Sequence, residues 1–238
     1  MAAGRITKYL TVLAVMMALL LSCTGMVFTK VSSPSLTEPS NTDNNKVERF
    51  EDIVHSVTVS EIEIYPFVLT SKIIHDYNTS LIIPFDIGQR ESMTYGKPFG
   101  IDLALRAKDN GASFSPLSTE LLFAGKTELI YPAEVITSEN PGILGPPHFL
   151  RPCTYGRMPP GSKILSAGTV TIPSKYSVGS SGNIVNDRWL CVQLQFDIPT
   201  PDPSERFQLQ LGEIITPEGK HVHPTIYFSP KIYKEFQH

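Results

Sequence analysis

The side chains able to do chemistry lie far apart along the chain, and few share a spacing that chemistry requires. His221 and His223 stand two residues apart, so on a strand they project from one face and could share a metal ion. No carboxylate or cysteine follows at a fitting interval, and the plainer reading is two solvent-facing histidines beside a turn. Gly179, Ser180, Ser181 and Gly182 set serines between glycines. A hydrolase elbow, however, needs Gly, any residue, Ser, any residue, Gly between a strand and a helix, so this segment reads as a loop. Gly125, Lys126 and Thr127 match the end of a phosphate-binding loop, yet Glu120 occupies the place of its first glycine and strand follows where a helix should open. Asp102, Asp197 and Glu213 fall singly on or near expected strands, without the pairing a glycosidase would need. The sequence nominates no catalytic residue and no cofactor. It favours a protein that binds over one that catalyses, with a hydrolase whose polar groups meet only in three dimensions as the alternative.

The one stretch with a specific instruction is the opening. Arg5 and Lys8 precede an uncharged apolar run from Leu10 to Leu21, closed by Ser22 and Cys23. A basic segment, an apolar segment and small residues at a cleavage point form an export signal. Leu20, Leu21, Ser22 and Cys23 resemble the lipobox of bacterial lipoproteins, with a larger residue at Leu21 than that family usually carries. The resemblance implies that residues 1–22 are removed, that Cys23 is lipidated, and that the protein sits in the cell envelope, tied to the membrane by its lipid. Thr24, where lipoproteins of the inner membrane commonly carry Asp, points by the same resemblance to an outer membrane if the organism has one. Two other readings remain open. Tyr9 to Thr29 carries no charge, and about 20 apolar residues can span a bilayer as an uncleaved anchor; ordinary cleavage would release a soluble protein.

Loss of Met1–Ser22 removes two cations and no acid, taking the formal net charge from −3 to −5. No cluster of Lys and Arg offers phosphates a basic stripe, which argues against a nucleic-acid partner. With Cys23 lipidated, Cys153 and Cys191 are left as a pair in an oxidising compartment, where disulfides persist. Two buried free thiols are the alternative.

The elements that must position these residues read as strands. Residues 23–46, rich in Ser, Thr, Pro and Asn, read as a disordered tether, with the folded domain at 47–238. Val57 and Val59, then Ile62 and Ile64 in the opposite phase, suggest a strand with a bulge near Ser60 and Glu61. Ile101, Leu103, Leu105 and Ala107 alternate with polar or small partners and stop at Asp109, Asn110, Gly111. From Trp189 to Ile198, Leu190, Val192, Leu194 and Phe196 point one way while Trp189, Cys191, Gln193 and Gln195 point the other. Between these lies a Pro- and Gly-rich stretch, 132–161, too irregular for helix or central strand and long enough to suggest a functional loop. It contains Cys153 and the candidate binding residues Phe149, Tyr155 and Arg157. Short strands separated by Pro, Gly and Asp turns predict an all-β fold, an antiparallel β-sandwich of immunoglobulin-like architecture. A division into two β-subdomains near 132–161 is the alternative. The expectation is thus an envelope lipoprotein that binds another envelope protein or a surface component.

Overall fold

The computed structural model describes residues 25–39, 47–48, 56–68, 71–80, 83–86, 98–140, 153, 161–178, 184–186 and 188–237. Cys23, Phe149, Tyr155, Arg157 and the glycine–serine segment 179–182 lie outside the described residues.

Period-two alternation produces two large sheets. One runs, in spatial order, Ile83–Asp86, Ser71–Ser80, Gly25–Ser35, Thr225–Gln237, Phe207–Gln210 and Glu120–Phe123. Val47–Glu48 adds a parallel pair along Thr225–Gln237. The other runs Lys163–Ile164, Glu134–Asn140, Trp189–Phe196, Phe99–Ala107, Ile62–Val68 and Val57–Val59, all antiparallel. A small sheet of two-residue strands, Val170–Thr171, Ser113–Phe114, Ile214–Ile215 and His221–Val222, stands beside them.

The inner faces of the two large sheets bury one core. Leu190, Val192, Leu194 and Phe196 pair across to Leu105, Leu103, Ile101 and Phe99, and Leu121, Phe123, Phe207, Leu209, Ile226 and Phe228 face them from the other sheet. Aromatic rings join the two layers: Phe207 stacks on Phe228 at 4.7 Å and meets Phe99 edge-on at 5.8 Å, arrangements that the ring quadrupole favours. The molecule is an all-β antiparallel sandwich. Strands from before and after 132–161 lie side by side in both sheets, so the two halves share this core.

Three expectations change. Glu134–Asn140 lies within the stretch 132–161 expected to hold no helix or central strand, yet it is a strand paired with Lys163–Ile164 on one side and Trp189–Phe196 on the other, because the Pro and Gly residues of the stretch lie outside it. The stretch expected as a tether is folded from Gly25 to Ser35, a strand held between Thr225–Gln237 and Ser71–Ser80. Its composition hid it: Thr29, Ser32 and Ser33 are buried alongside Val27, and small hydroxyl side chains fit in a packed layer while the backbone amides are satisfied by neighbouring strands. Beyond Val31, among the described residues, only the Thr225–Gln237 side is paired, which is where a strand tolerates Pro34.

The third change is at Ser60 and Glu61. These form a two-residue hairpin turn joining Val59 to its partner Ile62, and both have positive φ, 45° and 68°. That is the geometry of a turn that matches strand twist, which Asn-Gly serves best. Ser and Glu bear the left-handed conformation at a cost of roughly 1–2 kcal/mol each. The exposed Lys108–Glu61 ion pair, 2.8 Å, returns little of it. Replacing Ser60 with Asn and Glu61 with Gly together is expected to stabilise the fold by about 1 kcal/mol. A rise in urea midpoint at unchanged slope would show it, and a fall would mean that the ion pair outweighs the turn.

Candidate binding face

The alternation that sends Leu190 to Phe196 into the core turns Trp189, Cys191, Gln193 and Gln195 to the outer face of their sheet. The register sets three rows across that face. Glu63, Arg106 and Trp189 belong to the first; Tyr65, Ala104, Cys191 and Ser138 to the second; Phe67, Asp102, Gln193 and Ile136 to the third. In a solvated antiparallel sheet such a face is polar and wet. Here its centre is covered: Trp189, Cys191, Ala104 and Ser138 are all less than 9% exposed.

The cover includes Cys153. It is bonded to Cys191, with 5.7 Å between the Cα atoms, and is itself buried with Ala104, Trp189 and Tyr65 in a cluster separate from the main core. The expected disulfide is therefore formed, and it brings the Pro- and Gly-rich loop onto the sheet at Cys153. The guanidinium of Arg106 lies 4.2 Å above the Trp189 ring and is ion-paired with Glu63 at 2.6 Å. The pair is only part-exposed, so both contacts are worth more than they would be in open water.

The third row holds a polar chain that sequence reasoning missed. Gln193 Nε2 donates to Asp102 Oδ1 at 3.0 Å, and Gln195 Nε2 donates to Gln193 Oε1 at 3.0 Å. Burial pushes the Asp102 carboxyl up to about 6, against the opposing pull of the Gln193 hydrogen bond. Its neighbours within the row, Phe67 and Gln193, are uncharged, so no cation beside it in the row offsets the loss of water. The only hint in the sequence is that Asp102, Gln193 and Gln195 share an outward parity with Cys191 and Trp189, residue types that are usually covered.

Ser138, at the far side of the second row, keeps its hydroxyl buried without a hydrogen-bond partner among the described residues. A serine nucleophile needs a base in hydrogen-bond contact, and none of the described residues supplies one here. Asp197 is exposed immediately after Trp189–Phe196, whereas Glu213 accepts the His221 Nδ1 contact at 2.7 Å on the exposed surface. His221 is thus engaged by a carboxylate, and no group of three His, Cys, Asp or Glu side chains gathers among the described residues; the two-histidine metal site finds no third ligand there. Among the described residues the face thus joins aromatic, amide and carboxyl groups with the buried Cys153–Cys191 bond. Comparison with protein families, characterised proteins and solved structures returned no match.

Proposed function

We propose that the protein is an exported, lipid-anchored β-sandwich that binds a protein or surface component of the cell envelope through the loop carrying Cys153. The observation that carries the reading is the Cys153–Cys191 bond, which fixes that loop on a covered sheet face. Disulfides persist in compartments outside the cytosol, in keeping with the basic and apolar opening of the chain. The strand from Gly25 adds support. It takes Gly25 to Thr29 for the sheet and leaves Tyr9–Thr24 as the uncharged run, shorter than the roughly 20 residues that a spanning helix needs. A removed signal with lipid on Cys23 suits that geometry better than a retained anchor. Loops displayed on a rigid scaffold are common recognition elements.

A photo-reactive side chain placed at Phe149, Tyr155 or Arg157 in cells is expected to give one reproducible adduct, and the same probe at His223 none. Mass spectrometry of the membrane-extracted protein should find Cys23 as an acylated N-terminus. Absence of any loop-specific adduct would overturn the binding role, and an unmodified or uncleaved Cys23 would overturn the anchor.

A further inference from the structure

The rows of the disulfide-bearing sheet differ in how far they are covered. The second, with Cys191 and Ser138, is sealed. The third is half-open, and it runs on past Ile136 to Ile164, the partner of Ile136 on the last strand of the sheet. Ile164 is 67% exposed, more than any other large apolar side chain among the described residues. With the half-buried Ile136 it gives that end of the row an apolar surface. A fourth row, Gly100, Gln195 and Glu134, lies about 7 Å further along the strands. All three residues are half-buried. No described atom comes within 4 Å of where a Cβ of Gly100 would stand, so a notch opens beside Asp102 and Gln195.

The charges of this strip are of one sign. Asp102 accepts one hydrogen bond, from the uncharged Gln193. Glu134 has neither an ion pair nor a side-chain hydrogen bond among the described residues, and no described Lys or Arg belongs to either row. Arg106, the cation of the first row, is held by Glu63 and lies over Trp189.

We propose that this strip docks an extended segment of a partner protein that carries an aliphatic side chain at one position and a Lys or Arg four residues away. The inference rests on the binding role proposed above and names the chemistry of the partner. Ile164 and Asp102 stand three strands apart, about 14 Å. Four residues of extended chain cover that distance at about 3.4 Å each, and side chains four apart project from one face. The aliphatic side chain packs on Ile136 and Ile164, and the cation enters the notch over Gly100 to meet Asp102. Glu134 adds to the negative field along the way. Gln195 Oε1, which accepts no hydrogen bond among the described residues, is left to a backbone amide of the segment. An acidic segment or an anionic membrane would be repelled by both carboxylates, and a neutral glycan would leave them unanswered.

Amide NMR of the isotope-labelled full chain in detergent tests it, with the capped peptide Leu-Ser-Gln-Ser-Lys as the probe. Shifts are expected at Gly100, Ile136, Ile164 and Gln195. The same peptide ending in Glu should bind at least about tenfold more weakly, and one beginning with Ser about threefold more weakly. Asp102→Asn and Ile164→Ser should each reproduce the matching loss for the parent peptide. Ile164 is exposed, so its replacement leaves the core intact. Equal affinity for the Lys and Glu peptides, an absence of shifts, or shifts confined to other residues would overturn the proposal. The same shifts on concentrating the protein without peptide would assign the strip to a second copy of the chain and overturn it too. Loop adducts without peptide binding would remove this site and leave the binding role standing, and peptide binding without loop adducts would do the reverse.

Discussion

Asp102→Asn is expected to stabilise the protein by about 2 kcal/mol at pH 7.5 and to abolish a pH dependence that the native chain shows between about pH 4 and pH 6.5. The reasoning starts from the row that holds it, where Phe67 and Gln193 flank the carboxyl and burial raises it to about 6. A carboxyl whose folded-state pKa exceeds its unfolded value, about 3.9, binds its proton more tightly in the native state. Its contribution to stability is therefore fully present below the unfolded value and is lost as pH rises through about 6. Above that pH the fold carries the cost of a buried charge. Asn removes the charge and retains an oxygen to accept from Gln193 Nε2, so the chain to Gln195 survives. Urea titrations of both proteins across this range, read as a difference, isolate the group from every other acid. If the two curves ran parallel, Asp102 would be solvated and the covered-row account would fail. A raised carboxyl retained at a cost is also what a recognition site keeps, so the variant's capture of the loop's cross-linking partner is the informative companion measurement.

The second large effect is expected from the disulfide. Cys153 and Cys191 are 38 residues apart, and closing a loop of that length removes unfolded-state entropy worth about 4 kcal/mol. Cys153→Ala with Cys191→Ala should lose most of this, with a fall in melting temperature of about 10 °C for a domain of this size. Because Cys191 and Ala104 lie beneath Trp189 and Tyr65, the loss should appear first as a change in the environment of Trp189. Near-ultraviolet circular dichroism of the reduced native protein would report it before global unfolding. An unchanged Trp189 signal on reduction would mean that the cluster holds the loop without the bond.

What could be read from the chain follows from where the partners of each residue lie. Leu190 to Phe196 and Ile101 to Ala107 are legible because every second side chain enters the core, so the pattern is written within the strand itself. Gly25–Ser35 is not. Its buried Thr29, Ser32 and Ser33 are small polar residues that look the same in a loop, and the strands that satisfy its backbone are Ser71–Ser80 and Thr225–Gln237. The Ser60–Glu61 turn reads as a bulge in the sequence because neither residue is a usual carrier of positive φ, and the phase change from Val59 to Ile62 fits either device. Asp102 was visible as a lone carboxylate on a strand. Its link to Gln193 exists only once Phe99–Ala107 and Trp189–Phe196 lie in register. Leu122, Gln208 and Tyr227 likewise lie side by side from three strands, an adjacency no local pattern encodes.

The strand Gly25–Ser35 also fixes when the molecule can form. It is among the first parts of the domain to be synthesised, and one of its two partners, Thr225–Gln237, is the last of the described strands. A pairing of such separation must close nearly the whole chain as a loop before it gains any contact energy, so high contact order makes it slow. Until Thr225–Gln237 has been made, the sheet has two open edges at its centre and its amides have no neighbour on that side. This sheet therefore cannot close until the last of the described strands has been made, however early its other strands are available.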